Sequence, residues 1–179
     1  MEEIGRRGLM LCASLVEKLV DESENSETTL SRKQVEEQIK HLVLLRNPHM
    51  EKSFGVKKRF LQDTRAITYG YAGLNLAANF GVVHRNDIAG SVGQVKASLL
   101  DLRLFKSKLP ASAFDRNPQR HLMLVYSSDP ADPLLTPRKA KDINEAINEL
   151  DMQAQGLEIE FAPANDVNTL AERLLQSAA

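Results

Sequence analysis

Two short stretches and one long one carry the residues best suited to chemistry. Ser127-Ser128-Asp129-Pro130-Ala131-Asp132 follows the apolar run Leu122 to Tyr126 and precedes a helix start at Pro137. Ligands of open α/β sheets bind at such a strand-to-helix edge. The two serines could hydrogen-bond a phosphate, and Asp129 with Asp132 could share a divalent metal. Ser, Asp and Pro also occur in such places for a plainer reason, which is that they turn chains. Neither G-x-G-x-x-G nor the P-loop pattern occurs, so the plainer reading stands first.

The second stretch, Gly81-Val82-Val83-His84-Arg85-Asn86-Asp87, gathers a histidine, an arginine and an aspartate beside a helix start. A helix N-terminus there could hold an anion and His84 could act as a general base. Asp87 as a plain helix cap with Arg85 as a surface charge is the simpler account. Asp87 with Asp101-Leu102-Arg103 faintly resembles the carboxylate pattern of nucleases. Arg103 stands where that pattern has lysine, and the helical spacing around it opposes the β-hairpin such a site needs. His41, His49, His84 and His121 lack metal-ligand spacing, and no G-x-S-x-G elbow occurs. The single cysteine, Cys12, sits in the apolar run Leu9-Met10-Leu11-Cys12-Ala13 and reads as a buried thiol. No metal and no cofactor is expected, and the catalytic residues, if any, are unknown.

The long stretch is a distributed charge. Residues 1–45 hold 6 Lys+Arg against 9 Asp+Glu, residues 46–121 hold 13 against 5, and residues 122–179 hold 4 against 10. The segments therefore carry −3, +8 and −6, within a net charge of −1. The basic block comprises Lys57, Lys58, Arg59 and Arg65 in one element and Lys96, Arg103, Lys106 and Lys108 in the next, with Lys52, Arg116 and Arg120 flanking. Clusters of this kind meet phosphate backbones and gain affinity from counterion release. Three readings are open: nucleic acid, an acidic protein partner, or docking onto the chain's own acidic C-terminal third.

The elements that must position these groups follow from spacing. Residues 4–20 read as an apolar-faced helix, and Asp21 to Thr29 as a polar, acidic loop. Ser31 with Gln34 makes a capping box for a helix through Val35, Ile39, Leu42 and Val43 or Leu45, ended by Asn47-Pro48. Phe60, Thr64, Ile67, Tyr71, Leu74 and Ala78 recur in steps of four and three, which predicts a long helix from about Ser53 to Phe80 with Gly81 past its end. Ile88, Val92, Val95, Leu99 and Leu102 predict a second. Over residues 56–80 and 87–107 the two should form an antiparallel hairpin, with Val82 to Arg85 as a connector or edge strand. His121 to Phe161 then reads as a βαβ unit: strand Leu122 to Tyr126, a helix capped by Thr136 with Ala140, Ile143, Ile147 and Leu150 inward, and strand Leu157 to Phe161. A last helix, capped by Asn165 or Asp166, buries Val167, Leu170 and Leu174.

The expected fold is α/β and helix-dominated: a helical region over 1–110, including the acidic loop 21–29 and the long helix pair, then a small βαβα unit over 111–179, packed together as one domain. Two parallel strands make no stable sheet alone, which predicts an undetected strand, self-association or membership of a complex. No apolar run reaches the roughly 20 residues of a membrane span, and the acidic start Met-Glu-Glu argues against a signal peptide. A cytoplasmic, membrane-free protein is the expectation. The expected function is a non-enzymatic binding or assembly component that engages nucleic acid or an acidic partner through the central basic surface. The alternative is an enzyme acting on a nucleotide or phosphorylated substrate at the 127–132 turn.

Overall fold

The computed structural model describes residues 30–59, 66–108, 119–129, 132, 133 and 135–178. The helix read over 4–20, the acidic loop, Cys12, Arg65 and Arg116 lie outside the described residues. Helix α1, Arg32–Arg46, begins with the expected capping box. The Gln34 N–H donates to Ser31 Oγ at 3.3 Å and the Ser31 N–H donates to Gln34 Oε1 at 2.8 Å. Val35, Ile39 and Val43 are its buried stripe, and Leu45 stays exposed. A 3-10 turn at Pro48–Ser53 leads into β1, Phe54–Lys58.

The next segment departs from the expected helix. Residues 56–80 contain no described helix; they hold the end of β1, then β2, Ile67–Ala72, and most of β3, Leu76–Val83. The four-and-three spacing there is coincidental, and β-forming residues win: Ile67, Thr68, Tyr69 and Tyr71 fill β2 and two valines end β3. Gly73, Leu74 and Asn75 make a hairpin turn closed by a Gly73 N–H to Leu76 carbonyl bond of 2.8 Å. Leu74, assigned to the apolar face of a helix, is 93% exposed at its tip. The antiparallel helix pair therefore does not form; only its second member does, as α2, Ile88–Lys108.

After α2 come β4, Arg120–Ser127, α3, Pro137–Gly156, β5, Glu160–Ala164, and α4, Val167–Ala178. Thr136 caps α3 through the Lys139 N–H, and Asp166 caps α4 by accepting from the Thr169 N–H at 2.8 Å. The last strand starts later than expected, because Leu157 to Ile159 make the turn out of α3, with Glu158 at φ 54°. The sheet order is β1-β2-β3-β4-β5. The first two pairings are antiparallel and the last two parallel, so α2 and α3 are crossover helices. Val82 and Val83 thus end a central strand, where a connector or edge strand was expected. The missing strands come from within the chain, which removes the shortage that motivated self-association.

Side-chain alternation sorts the two faces. Ala77, Met123 and Val125 join Val95, Leu99, Leu102 and Phe105 of α2 and Ile143 and Leu150 of α3 in one cluster. Leu76, Ala78, Phe80, Leu122 and Leu124 are fully buried on the other face, where α1 and α4 pack. Gly81 lies mid-strand, not past a helix end. A Cβ there would stand 2.7 Å from Val95 Cγ2, so the glycine lets α2 approach the sheet. Among the described residues, no helix is long and apolar enough to cross a membrane.

Candidate functional site

Parallel pairing brings the two short stretches together. Val83 pairs with Ser127, so the chain leaves β3 and β4 side by side at the C-terminal edge of the sheet. Arg85 reaches Asp132 across that edge at 3.2 Å, both side chains mostly buried. His84 donates its backbone N–H to Ser91 Oγ at 3.1 Å, and the buried Ser91 hydroxyl donates to the Asp87 carbonyl at 2.6 Å. Asp87 Oδ1 accepts from the Gly90 N–H at 2.9 Å, which makes Asp87 a helix cap. Ser127 is buried and Asp129 is exposed. The Asp132 N–H donates to the Asp129 carbonyl and the Leu135 N–H to the Asp132 carbonyl, two successive turns. Chain reversal and a cross-edge ion pair account for this geometry. Among the described residues, no group of three His, Cys, Asp or Glu could hold a metal ion.

Asp101 and Arg103 lie on α2, in helix and not in the strand hairpin a nuclease carboxylate site would need. Lys96, Arg103 and Lys106 of α2 do share a face, as their spacing requires, and that face is turned to the chain's own acidic third. Lys96 Nζ pairs with Glu149 of α3 at 2.6 Å. Lys106 pairs with Glu158 and also donates to the Glu158 carbonyl at 3.2 Å. Arg103 donates to the Leu157 carbonyl at 3.5 Å. The Lys106 ammonium, by hydrogen bond and charge, holds the Glu158 carboxyl below its ordinary range. Arg120 pairs with Glu160 at 2.7 Å. Lys108 closes α2.

Lys57, Lys58 and Arg59 are placed differently. Lys57 and Lys58 end β1, an outer strand of the sheet, Arg59 follows directly after it, and all three are exposed. None forms an ion pair among the described residues. Lys58 Nζ lies 5.9 Å from the centroid of the Phe105 ring, which orients it without neutralising it. Lys57 pairs in the ladder with Thr68, so the two share one face of the sheet.

Beside Thr68 lies a feature that spacing in the sequence does not disclose. A cleft of about 320 Å³ opens between the first turn of α1 and β2, lined by Arg32, Lys33, Glu36, Thr68 and Gly70. Burial pushes the Glu36 carboxyl up, with the Arg32 charge opposing and Glu37 adding. Burial also raises Asp101, again with Arg32 opposing. Tyr69, whose hydroxyl donates to the Asp101 carbonyl at 3.2 Å, is pushed up to about 12 by burial and then by the Asp101 charge. Arg32 and Glu36, four apart on a helix, are legible as neighbours, but the strand they face reads as helix from its spacing. A second groove, of about 440 Å³, runs between α1 and the start of α4 past Gln38, His41, Leu42 and Asn168.

Two buried polar groups complete the electrostatic picture. Asn79, fully buried, accepts from the Gly70 N–H at 3.0 Å and donates to the Ser98 carbonyl at 3.2 Å. His121 is 6% exposed, packs its ring against Phe105, and leaves Nε2 with no hydrogen-bond partner among the described residues. Burial first, and Lys106 second, lower its pKa. No family model, no curated protein and no solved structure matches this chain significantly.

Proposed function

We propose that this chain is a non-enzymatic nucleic-acid-binding component that meets a phosphate backbone with the surface around β1. Lys57, Lys58 and Arg59 form its centre, and Lys33 and Lys52 extend it. One observation carries this reading: the basic residues divide into two unlike sets. Lys96, Arg103, Lys106 and Arg120 are engaged by carboxylates and carbonyls of residues 149–160, whereas Lys57 and Lys58 at the end of an outer strand, and Arg59 just after it, are exposed without an ion pair among the described residues. Exposed lysines and arginines near phosphates release counterions, so binding should fall steeply with salt and carry little sequence preference.

Fluorescence anisotropy with labelled oligonucleotides across a salt series tests this. Replacing Lys57, Lys58 and Arg59 together by glutamine should weaken binding across all sequences and lower the salt slope by about one for each phosphate no longer neutralised. Replacing Lys96, Arg103 and Lys106 should change it little. Equal weakening from both sets would refute the division, and absence of binding at low salt would refute the function.

An enzyme acting on a phosphorylated substrate at the strand-end edge is the competing reading, favoured by the convergence of Arg85 and Asp132 there. It predicts that Arg85→Gln abolishes an activity that is insensitive to salt. An acidic protein partner would instead give salt-sensitive binding to polyglutamate with none to oligonucleotides. The same surface could serve a larger assembly or a homo-oligomer, and light scattering reads that directly.

A further inference from the structure

We infer that the cleft between α1 and β2 is a phosphate-anchoring subsite, in which Arg32 grips one backbone phosphate through both arms of its guanidinium. The inference rests on the nucleic-acid reading above and says where on that surface the grip lies. Arg32 is half-buried in the cleft wall. Among the described residues no carboxylate lies within ion-pairing distance of it, and Lys33, its neighbour, pairs at 3.9 Å with Glu37. A guanidinium carries five N–H donors in a planar fork that fits two oxygens of a phosphate. Partial burial of such a group costs desolvation, which an oxyanion in the cleft would offset.

The remaining lining suits the same ligand. Thr68 offers a hydroxyl, and its ladder partner Lys57 carries the positive field from the cleft onto β1. Gly70 has no room for a side chain, since a Cβ would stand 2.3 Å from the Phe80 ring, so the backbone there remains uncovered by its own residue. Phosphate in this cleft would be one point on a longer backbone track.

Glu36 is the opposing group. It stands in the same wall, its charge disfavoured by burial and supported by Arg32 and Lys40, while Glu37 adds to the repulsion. Asp101, from α2, also feels Arg32. A phosphate held by Arg32 meets the Glu36 carboxylate as a like charge, so removing that charge should tighten binding. A merely structural role for Glu36 would not produce a gain.

Anisotropy on the full chain with labelled single-stranded DNA, duplex DNA and RNA of one sequence tests the subsite. Arg32→Gln should weaken all three by about tenfold or more, the size of a missing charge-assisted pair of hydrogen bonds. Arg32→Lys should keep the salt slope yet remain several-fold weaker than the wild type, because an ammonium cannot reproduce the fork. Glu36→Gln should bind about fivefold tighter, as expected for one unit charge acting over a few ångströms of partly screened solvent. Arg46→Gln, at the far end of α1 and paired with Glu172, is the control and should bind like the wild type.

Five results would overturn the subsite. If Arg32→Gln matches Arg46→Gln while the wild type binds, the cleft is no anchor and the wider surface stands. If Arg32→Lys equals the wild type, or Glu36→Gln binds no tighter, the bidentate grip is wrong. If polyglutamate displaces the oligonucleotides as well as unlabelled DNA does, the surface serves acidic protein. If nothing binds at low salt, the subsite and the nucleic-acid reading fail together.

Discussion

Replacing Asn79 by leucine keeps the forked shape of its side chain but leaves the Gly70 N–H and the Ser98 carbonyl without the partners it supplies. Because the site is fully buried, the two stranded groups should cost about 2–4 kcal/mol, read as a shift in urea midpoint. His121 makes a second residue-scale prediction. Burial and Lys106 place its folded pKa below the ordinary 6.5. Between those two values the unfolded chain binds a proton that the folded chain refuses. Its contribution to stability is therefore complete above about pH 6.5, declines as pH falls below it, and levels off once folded His121 protonates. Urea midpoints between pH 7 and 5 should fall less in His121→Leu than in the wild type, and equal slopes would remove His121 as the cause. Neither residue is legible as special in the sequence. Asn79 lies in a stretch whose spacing reads as helix, and a histidine at a strand start shows its burial only once α2 covers it.

At the scale of elements, the sequence is readable wherever caps and turns fix the ends. Ser31 with Gln34, Thr136 with Pro137, and Asp166 each start the helix their side chains predict, because a cap is a local device that needs no tertiary partner. Residues 53–83 mislead for the opposite reason. Strands are decided by cross-strand partners, and steps of four and three arise where Tyr71 lies in a strand and Leu74 at a hairpin tip. The error carries into the candidate site, since a helix at 56–80 conceals both the β1 edge and the cleft beside β2. The seam between α2 and α3 gives the prediction at this scale. Lys96→Gln with Lys106→Gln removes two solvent-screened ion pairs, so the thermal midpoint should move little. A large fall in that midpoint would mean that the seam, and not the apolar cluster beneath it, holds α2 to α3.

For the whole molecule, the decisive fact is that one five-stranded sheet draws strands from both sides of residue 110. Residues 31–179 form one compact unit, with α2 and α3 on one face of that sheet and α1 and α4 on the other. Every described strand of the sheet lies within that unit, as do both sets of covering helices. The edges follow the same logic. β5 carries Pro163, which cannot donate to a further strand, and β1 ends in Lys57 and Lys58, whose charges discourage pairing with another copy. A chain beginning at Leu30, which retains Ser31 as the cap of α1, should therefore fold cooperatively, with a melting temperature within a few degrees of the full chain. It should also keep the oligonucleotide affinity proposed for β1 and the cleft. Loss of cooperative unfolding in the shortened chain would show that the first 29 residues complete the core. Intact folding without binding would instead move the nucleic-acid contact out of residues 30–179.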